Sequence, residues 1–571
     1  MSSVLTNKFR IHNAKSFVEG FSEVEPTNIY TAIGKISPWT SDDLYSGATE
    51  TTGDLNPPTP LDHVQNEYEV WRNMFAAKKI KSTDITHVIP KVNWESGKIY
   101  TQYGDLDETL LYDVINSDTP KPFYVVTDEF NVYKCLFNNN IESYDKPIHT
   151  SSTPQPYPDG YIWQYMYTVS ASSAFKFMTE NFIPIQTLTE QPVGASACSS
   201  TNLQWNVQSD AKTFGQGRID VISRRYDSAD SSGDGYVFAS GIITSISNIS
   251  TDIGGNITTT ITITDDQGNS LGVSNGYYNG MTVFSSSDTK AFEIESFTQA
   301  TGGDQITVKG DATSLSLNAI IQILPTVVVD GDGTGVQAVP VMGASDNASD
   351  ENQIDSVLVL NGGSGYTTAT VSFVNASSAV TVDAKFDVKI PPPGGHGRDA
   401  VEELGGFFVM INTKFEYNES GTGKNLPVAN DYRQISLIKQ PKLNEGPDYL
   451  DASSDLYIQC KTLVVNTTDI GLNETFVIDE TITQSVTGAT GIIVDILDGD
   501  NSTKEIRIVN VTGTFDLTNQ ISSPSASANS ISSIVDEELL KNSGDVMFVE
   551  QRTNIQRDEN QIEDIKIVLE F

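Results

Sequence analysis

The chain has 571 residues, which is too long for one ordinary hydrophobic core and predicts roughly two to four domains. It carries 35 lysines and arginines against 74 aspartates and glutamates, so the formal net charge is −39. A surface this acidic repels phosphate groups and anionic lipids, so neither a nucleic acid nor a membrane is expected as a partner. The 38% hydrophobic content is enough for globular domains, and the richness of the remainder in Ser, Thr, Asn, Asp and Gly favours short strands joined by many turns over long helices.

The cysteines and the apolar runs exclude several further classes of protein. The three cysteines are far apart and form no C-x-x-C pair, so neither a disulfide framework nor a zinc site is expected: Cys135, Cys198 and Cys460. The N-terminus lacks the apolar region of a secretory signal. No run approaches about 18 apolar residues, so no membrane span is predicted.

Two kinds of amino-acid composition alternate along the chain. Residues 1–205, 391–444 and 536–571 are richer in aromatic residues, whereas 206–390 and 445–535 are rich in Gly, Ser, Thr and Asn. Because insertions are tolerated at exposed loops, this alternation predicts one core domain in three parts that carries two inserted modules. The predicted fold class is mainly β and multi-domain: a β-sandwich-like core with a few short helices, plus two inserted all-β modules.

The first strong element in chain order is a helix predicted over TPLDHVQNEYEVWRNMFAAKKI, residues 59–80. Thr59 is the predicted N-cap, with Pro60 at the first helical position. Apolar side chains recur at three- and four-residue spacing and predict one buried stripe: Leu61, Val64, Tyr68, Trp71 and Phe75. Two shorter helices are predicted over RDAVEEL (398–404) and DEELLKNSG (536–544).

Further along, FYVVTDEFNVYKCLF (123–137) predicts two strands around Asp128-Glu129. The stretch YPDGYIWQYMY (157–167) has a turn followed by alternating residues, which suits either an aromatic platform for a sugar or base, or a core strand. Large aromatic faces are mostly buried, so the alternation favours the core strand.

In the two Gly- and Thr-rich segments the pattern is again that of strands. GNITTTITITDDQGNSLG (255–272) alternates cleanly before a turn, and IDSVLVLNGGSGYTTATVSFV (354–374) predicts two strands joined by Gly-Gly-Ser-Gly. TFVIDETITQSVTGATGIIVDIL (475–497) has the same character.

No catalytic constellation follows from the sequence, and we predict a non-enzymatic protein with no cofactor and no metal. None of the five histidines has zinc spacing, and His396 in GGHG is interpreted as a loop residue. SGTGKN (420–425) departs from a phosphate-binding loop at two positions. Acidic turns offer possible calcium ligands, but without the spacing of an EF-hand: Asp330, Asp332, Asp495, Asp498, Asp500 and Glu505.

Ordered blocks of the aromatic-rich parts resemble the baseplate wedge subunit family of T-even-type contractile-tailed bacteriophages, the product of gene eight. The blocks are YTAIGKISPWTSDD, EVWRNMF, HVIPKVNW, NVYKCLFNN, PDGYIWQYMY, DYRQISLIKQP, NSGDVMFVEQR and the terminal IEDIKIVLEF. Their shared positions are Gly34, Pro38, Trp39, Trp71, Pro90, Trp94, Tyr133, Cys135, Asp159, Gly160, Tyr161, Trp163, Tyr165, Arg433, Gln434, Ser436, Ser543, Gly544, Glu550 and Arg552. The aromatic-rich parts in which these blocks lie make up roughly half the chain.

The resemblance implies a structural protein of the phage tail baseplate, assembled in the bacterial host cytoplasm. It implies a homodimer within each wedge that contacts the inner-ring wedge subunit, the large wedge arm protein and the peripheral wedge protein. It also implies a role in baseplate assembly and in the rearrangement that triggers sheath contraction. It implies nothing about the two inserted modules.

A receptor- or glycan-binding tail protein is the alternative hypothesis, and a polysaccharide depolymerase is a third. Exposed β modules with Tyr-rich loops such as SNGYYNGM (274–281) suit sugar stacking. The family resemblance favours the structural role over both.

Overall fold

The chain is described from a computed structural model. The described residues are 4–39, 55–114, 120–194, 196, 199–225, 231–247, 249–251, 255–343, 352–375, 380–419, 424–445 and 450–571. They divide into two compact units: unit 1 comprises residues 1–11 and 89–406, and unit 2 comprises 12–88 and 407–571. Cys198 and part of the SGTGKN stretch lie outside the described residues.

The predicted mainly β, multi-domain fold class is confirmed, since strands dominate the described chain. The α-helices are α1 (Asn7–Glu19), α2 (Val64–Asn73), α3 (Ala171–Phe177), α4 (Ser200–Phe214) and α5 (Ala400–Glu403). The first strands are β1 (Ile29–Gly34), β2 (Met74–Lys79), β3 (Ile85–Pro90), β4 (Tyr124–Val126), β5 (Asn131–Phe137), β6 (Gln155–Pro156), β7 (Ile162–Thr168) and β8 (Phe182–Ile185).

The next strands belong to the first Gly- and Thr-rich segment. They are β9 (Ile222–Arg224), β10 (Ala239–Ile246), β11 (Ser250–Thr251), β12 (Ile257–Thr264), β13 (Thr282–Ser285), β14 (Lys290–Thr298), β15 (Asp304–Lys309), β16 (Ile320–Leu324), β17 (Thr326–Gly331), β18 (Thr334–Met342), β19 (Ile354–Ser364), β20 (Ala369–Val374) and β21 (Phe386–Val388).

The remaining strands complete unit 2. They are β22 (Phe408–Glu416), β23 (Asn418–Glu419), β24 (Lys424–Asn425), β25 (Asp431–Lys439), β26 (Leu456–Ile458), β27 (Lys461–Asn466), β28 (Thr481–Gln484), β29 (Thr490–Gly499), β30 (Thr503–Thr512), β31 (Ile521–Ser522), β32 (Ser527–Ala528), β33 (Ser533–Val535), β34 (Asp545–Gln556) and β35 (Ile562–Glu570).

Unit 2 contains a β-sandwich. One sheet has the strand order β26-β2-β1-β25-β34, and β22 pairs with β3 and β35 in the other. One buried cluster takes side chains from both sheets, including Ile33 and Ile435 from the first and Val409 and Ile567 from the second. The hydroxyls of Thr31 and Thr413 also meet across the sandwich at 2.8 Å. The predicted sandwich-like core therefore lies in this unit.

A further, seven-stranded sheet of unit 2 has the order β32-β31-β28-β29-β30-β27-β33 and its own, largely aliphatic core. The chain enters this sheet after β26 and leaves it after β33. At this point the side-chain amide of Gln459 donates to the carbonyl oxygen of Leu539 and accepts from the backbone N–H of Leu539, both at 2.9 Å. The first and last segments of the sheet are therefore held side by side.

Unit 1 contains a four-stranded antiparallel sheet of order β4-β5-β7-β6, which we call the aromatic sheet. The two strands predicted around Asp128-Glu129 form its β4–β5 hairpin. The stretch IWQYMYT forms β7, and α4 packs against it through Val207 and Leu203.

Unit 1 also contains a closed sheet, which we call the barrel. Its strands follow the order β10-β16-β13-β14-β15-β12, and β10 pairs with β12 to complete the ring. Closure removes exposed strand edges. The segment that carries the barrel is attached through β9 and β21, which pair antiparallel with Ile222 opposite Val388. Its first and last strands therefore lie side by side. The predicted division into a core with two inserted modules remains a prediction.

The helix predicted over residues 59–80 is shorter than expected. The observed helix, α2, runs from Val64 to Asn73. Its N-cap is His63, whose Nδ1 accepts a hydrogen bond from the backbone N–H of Asn66 at 3.0 Å. Residues 74–79 form β2, because β1 and β26 provide backbone partners on both sides. Tertiary pairing here outweighs helix propensity.

Only two of the five residues in the predicted apolar stripe are buried. Trp71 and Phe75 are buried, but Leu61, Val64 and Tyr68 are exposed.

Of the two shorter predicted helices, one forms and one does not. α5 forms within RDAVEEL, capped by the Asp399 carboxylate. No helix forms over DEELLKNSG, because the backbone groups of Leu539 and Leu540 bond to Gln459 and Lys442. Among the described helices, none is both long enough and apolar enough to span a bilayer.

Candidate functional site

The residues that carry the family resemblance fall into one group in each unit. The group in unit 1 surrounds the aromatic sheet: Pro90, Trp94, Tyr133, Cys135, Asp159, Gly160, Tyr161, Trp163 and Tyr165. The group in unit 2 surrounds the first sheet of the sandwich: Gly34, Pro38, Trp39, Trp71, Arg433, Gln434, Ser436, Ser543, Gly544, Glu550 and Arg552. Their importance as family positions remains a prediction.

The aromatic stretch that suggested either a platform or a core strand is a core strand. Tyr161, Trp163 and Tyr165 are fully buried. The rings of Tyr161 and Trp163 stack with centroids 5.4 Å apart, and Tyr100 meets Trp163 edge-on at 5.7 Å. A ring that is already covered on both sides has no free face for a sugar or a base.

Asp159 and Gly160 form the turn that leads into β7. One carboxylate oxygen of Asp159 accepts from the hydroxyl of Ser143 and the backbone N–H groups of Tyr144 and Asp145 at 3.0–3.1 Å. The other accepts from the backbone N–H of Tyr161 at 3.1 Å. Gly160 has φ +82°, which a residue with a side chain rarely adopts. The turn therefore organises the neighbouring loop as well as the strand.

The hydroxyl groups of buried tyrosines form hydrogen bonds with backbone carbonyl groups in neighbouring loops. The hydroxyl of Tyr161 donates to the carbonyl oxygen of Ile141 at 2.7 Å, and that of Tyr133 donates to the carbonyl oxygen of His149 at 2.8 Å. Burial raises the pKa of Tyr100 to about 12 and that of Tyr165 to about 12. These hydroxyls therefore stay protonated at neutral pH and act as hydrogen-bond anchors.

The remaining residues of this group have the same structural character. The carbonyl oxygen of Pro90 accepts from the hydroxyl of Tyr124 at 2.8 Å, and the indole of Trp94 donates to Ser143 at 3.2 Å. Burial raises the pKa of the Cys135 thiol well above its ordinary value. A buried neutral thiol is a poor nucleophile or metal ligand.

In unit 2, Gly34 and Trp39 fix the end of β1. A Cβ at Gly34 would lie 2.7 Å from the carbonyl oxygen of Asn73, so only glycine fits there. The indole of Trp39 donates to the carbonyl oxygen of Arg552 on β34 at 3.1 Å. The guanidinium of the buried Arg433 donates to the carbonyl oxygen of Ile36. Three separate blocks of the sequence thus meet at one corner of the sandwich.

The other residues of this group position the same sheet. Gln434 and Ser436 are buried on β25, and Glu550 pairs with Ile435 across β25 and β34. The hydroxyl of Ser543 accepts from the backbone N–H of Lys442 at 2.9 Å, and Gly544 has φ +74°. Trp71 is buried, whereas Pro38 is exposed.

His396, interpreted as a loop histidine, lies in a buried cluster that the sequence did not predict. Its Nδ1 is 3.1 Å from Nζ of Lys134, which forms a 2.8 Å ion pair with Glu403. Lys134 is more than 260 positions away from both His396 and Glu403, so no local motif could indicate the cluster. Burial, then the nearby cations Lys134 and Arg218, hold the pKa of His396 well below its ordinary value.

Three of the carboxylates considered as calcium ligands instead form hydrogen bonds or ion pairs within the protein. Asp332 accepts from the backbone N–H groups of Thr367 and Thr368, at 2.8 and 3.1 Å. Asp495 pairs with Arg507 at 3.1 Å, and Asp498 pairs with Lys504. Within the described ranges, no group of three or more His, Cys, Asp and Glu side chains has metal-site geometry.

The Tyr-rich loop SNGYYNGM was the main support for a glycan-binding role. Tyr278 is buried in the barrel core, where its ring meets Phe297 edge-on at 5.0 Å. Tyr277 packs partly against the same core. The loop therefore contributes its aromatic rings to folding, and it gives no specific support to sugar stacking.

Comparison with known proteins gives two matches. The family model described as Bacteriophage T4, Gp8 matches residues 3–153. The "Baseplate wedge protein gp8" of Enterobacteria phage T4 is 23% identical over 215 residues. That alignment covers 32% of this chain and 60% of the T4 protein, so the chain spans less than two thirds of that relative's length.

These matches confirm the family resemblance recognised from the sequence. Four of the eight blocks lie within residues 3–153: those that contain Gly34, Trp71, Trp94 and Tyr133. The later blocks, including the Asp159–Tyr165 turn and strand, lie beyond the segment that the family model matches.

Proposed function

We propose that the protein is a structural subunit of a phage tail baseplate wedge and that it acts mechanically, without catalysis. The match of residues 3–153 to the Gp8 family model is the observation that carries this proposal. The similarity to the T4 baseplate wedge protein supports it.

The internal structure of both units fits a load-bearing role. In unit 1, buried tyrosines are tied to distant carbonyl groups, and in unit 2 the corner formed by Trp39, Arg433 and Arg552 joins three blocks of the chain. Such cross-connections let a folded part keep its shape while its contacts with neighbours change.

The finer proposal concerns assembly. The subunit forms a homodimer within each wedge and contacts the inner-ring wedge subunit, the large wedge arm protein and the peripheral wedge protein. The subunit also takes part in the baseplate rearrangement that triggers sheath contraction. An acidic, loop-rich β protein offers wide polar interfaces, which can form, separate and form again in a second geometry.

Copy number in purified virions is the most direct test. Quantitative mass spectrometry should find about twelve copies per particle, two for each of six wedges. About three or six copies would indicate a hub or fibre protein and contradict the proposal.

Self-association tests the dimer separately. Light scattering of the purified chain at tens of micromolar, about 50 μM, should give twice the chain mass. A strict monomer that also fails to bind recombinant wedge neighbours would contradict the assembly role.

A further inference from the structure

The buried cluster of unit 1 is organised more specifically than an ordinary ion pair. Lys134 projects from the middle of β5, Glu403 lies in α5, and His396 lies in the loop before α5. The three side chains are 1%, 4% and 3% exposed. Nζ of Lys134 is 2.8 Å from Oε2 of Glu403. An amine and a carboxyl group are thus held in contact where water has almost no access.

The two oxygens of Glu403 have different surroundings. Oε2 faces Lys134, whereas Oε1 accepts backbone N–H bonds from Gly397 at 2.8 Å and from Asp399 at 3.3 Å. Two backbone donors on one oxygen are the arrangement that stabilises the negative charge of a tetrahedral intermediate. The two carboxylate oxygens are therefore suited to different roles in an attack on Cδ of Glu403. Oε1 can remain bonded to Cδ as the stabilised oxyanion, whereas Oε2 can leave.

His396 occupies the position of a proton carrier. Its Nδ1 is 3.1 Å from Nζ of Lys134 and 3.9 Å from Oε2 of Glu403. An ammonium group can only donate, so Nδ1 is the unprotonated acceptor nitrogen of a neutral ring. A base between the nucleophile and the leaving oxygen suits general acid–base chemistry.

The surrounding residues keep this geometry fixed. The ring of Tyr103 covers the cluster, with its centroid 4.4 Å from Nζ of Lys134 and 4.8 Å from the His396 ring. Its hydroxyl is tied to the carbonyl oxygen of Ile390 at 3.1 Å. Gly395 and Gly397 both have φ near +90°, and a Cβ at either would collide with its neighbours. The His396 loop thus has a single tightly packed conformation.

We propose that Lys134 and Glu403 form an intramolecular amide cross-link, with His396 as the proton carrier and the Gly397 and Asp399 N–H groups as the oxyanion site. Nζ of Lys134 bonds to Cδ of Glu403, and the Cδ–Oε2 bond breaks. Two of the three ammonium protons move to Oε2, at least one through Nδ1 of His396, and Oε2 leaves as water. The amide keeps the third proton, the two opposite charges cancel, and no oxidant or co-reactant is needed.

The cross-link has a mechanical consequence that does not depend on the proposed function. It closes a covalent loop from residue 134 to residue 403, which contains the barrel and its attachment strands β9 and β21. Pulling on the chain ends outside this loop then cannot extend the segment inside it. The buried position protects the amide from hydrolysis.

Intact mass spectrometry of the purified full-length chain tests the proposal. The denatured wild-type protein should be lighter than its sequence mass by one water, about 18 Da. Proteolysis should yield a branched peptide that joins Lys134 to Glu403. The unmodified sequence mass after prolonged incubation of the folded protein would overturn the proposal, because it would leave only an ion pair.

Two variants separate the chemistry from the fold. Lys134→Arg keeps the positive charge but has no amine, so it should show the full sequence mass. Glu403→Gln should lose ammonia, about 17 Da, and reach the same final mass as the cross-linked wild type.

Lys78 and Glu419, a partly buried pair at 2.7 Å in unit 2, provide an internal control. Their peptides should remain separate. Finding the branched peptide at this pair, with none at Lys134, would also overturn the proposal.

Discussion

The aromatic sheet and the barrel of unit 1 build their cores in different ways. The aromatic sheet buries large rings, and several of its tyrosine hydroxyls donate to backbone carbonyl oxygens such as that of Ile141. The barrel buries mainly Ile and Val side chains, with few polar atoms to satisfy. The first core depends on a few large residues with specific partners, whereas the second depends on many small and similar contributions.

This difference predicts where substitutions should lower the stability of the protein most. Removing one ring from the aromatic sheet leaves a large cavity and unpaired polar groups, but removing one methyl group from the barrel changes little. Because unfolding of a multi-domain chain is not two-state, each effect is best measured locally, by hydrogen exchange of peptides from each region.

The largest effect is expected for Trp163→Ala. The ring is fully buried, so its loss should lower local stability of the aromatic sheet by about 3–5 kcal/mol. Among the described residues the Trp163 indole N–H finds no hydrogen-bond acceptor, so Trp163→Phe removes an unsatisfied donor and should cost clearly less stability. Hydrogen exchange of residues 155–168 measures both. Equal stability of Trp163→Ala and wild type would contradict the core assignment.

Two glycines with the same backbone conformation provide a matched pair. Gly160 in the aromatic sheet has φ +82°, and Gly268 in a barrel turn has φ +83°. A Cβ at Gly160 would lie 2.6 Å from Nδ2 of Asn139, whereas a Cβ at Gly268 meets no atom within 4 Å. Gly268→Ala should cost about 1–2 kcal/mol from backbone strain alone.

Gly160→Ala should cost about 1–3 kcal/mol more, because the Asn139 turn must move as well. Thermal unfolding and local exchange of the two variants measure the difference. Equal costs would show that backbone strain alone governs both turns.

A smaller effect is expected for Ile306→Val in the barrel. Ile306 is fully buried, so losing one methylene group should cost about 0.5–1.5 kcal/mol. Ile320→Val, at an exposed position of the same barrel, should change stability by less than about 0.5 kcal/mol. Exchange rates of the β15 peptide provide the measurement. A cost above that of Trp163→Ala would reverse the comparison between the two cores.

The smallest expected effect is a pH dependence confined to the aromatic sheet. Burial lowers the pKa of His149, although Nε2 donates to the Trp163 carbonyl oxygen at 3.1 Å. Since the folded-state pKa lies below the unfolded value, this stability is fully present above about pH 6.5 and is lost as the pH falls through the folded-state pKa. The barrel sequence contains no histidine.

Exchange protection of the aromatic sheet should therefore fall as the pH drops below about 6.5, after correction for intrinsic rates, while that of the barrel stays constant over the same range. His149→Gln should weaken the dependence. An unchanged profile in that variant would assign the effect to another group.

The sequence predicted those features that depend on local patterns. Alternation identified β7 and β12, and the Asp159-Gly160 turn followed from its residue types. The helix over residues 59–80 was overestimated because β1 and β26 provide partners for residues 74–79, which no local pattern reveals. The helix over residues 536–544 was wrong for the same reason, since Gln459 binds Leu539 from 80 positions away.

The buried cluster shows the same limit for the candidate sites. His396 was noticed for its Gly-rich surroundings, but Lys134 and Glu403 carried no signal in a chain with 74 acidic residues. Only the fold brings them into contact, because β5 and α5 are far apart in sequence.

The attachment points of the barrel segment and of the seven-stranded sheet of unit 2 have a consequence for the evolution and engineering of this protein. Each segment leaves its parent structure and returns to it at adjacent positions, through β9 and β21 in one case and at Gln459 and Leu539 in the other. A short peptide linker can bridge such a gap, so either segment can be deleted, or exchanged for a foreign domain with neighbouring termini, by a single in-frame genetic event. The parent units would then carry a different domain at the same attachment point.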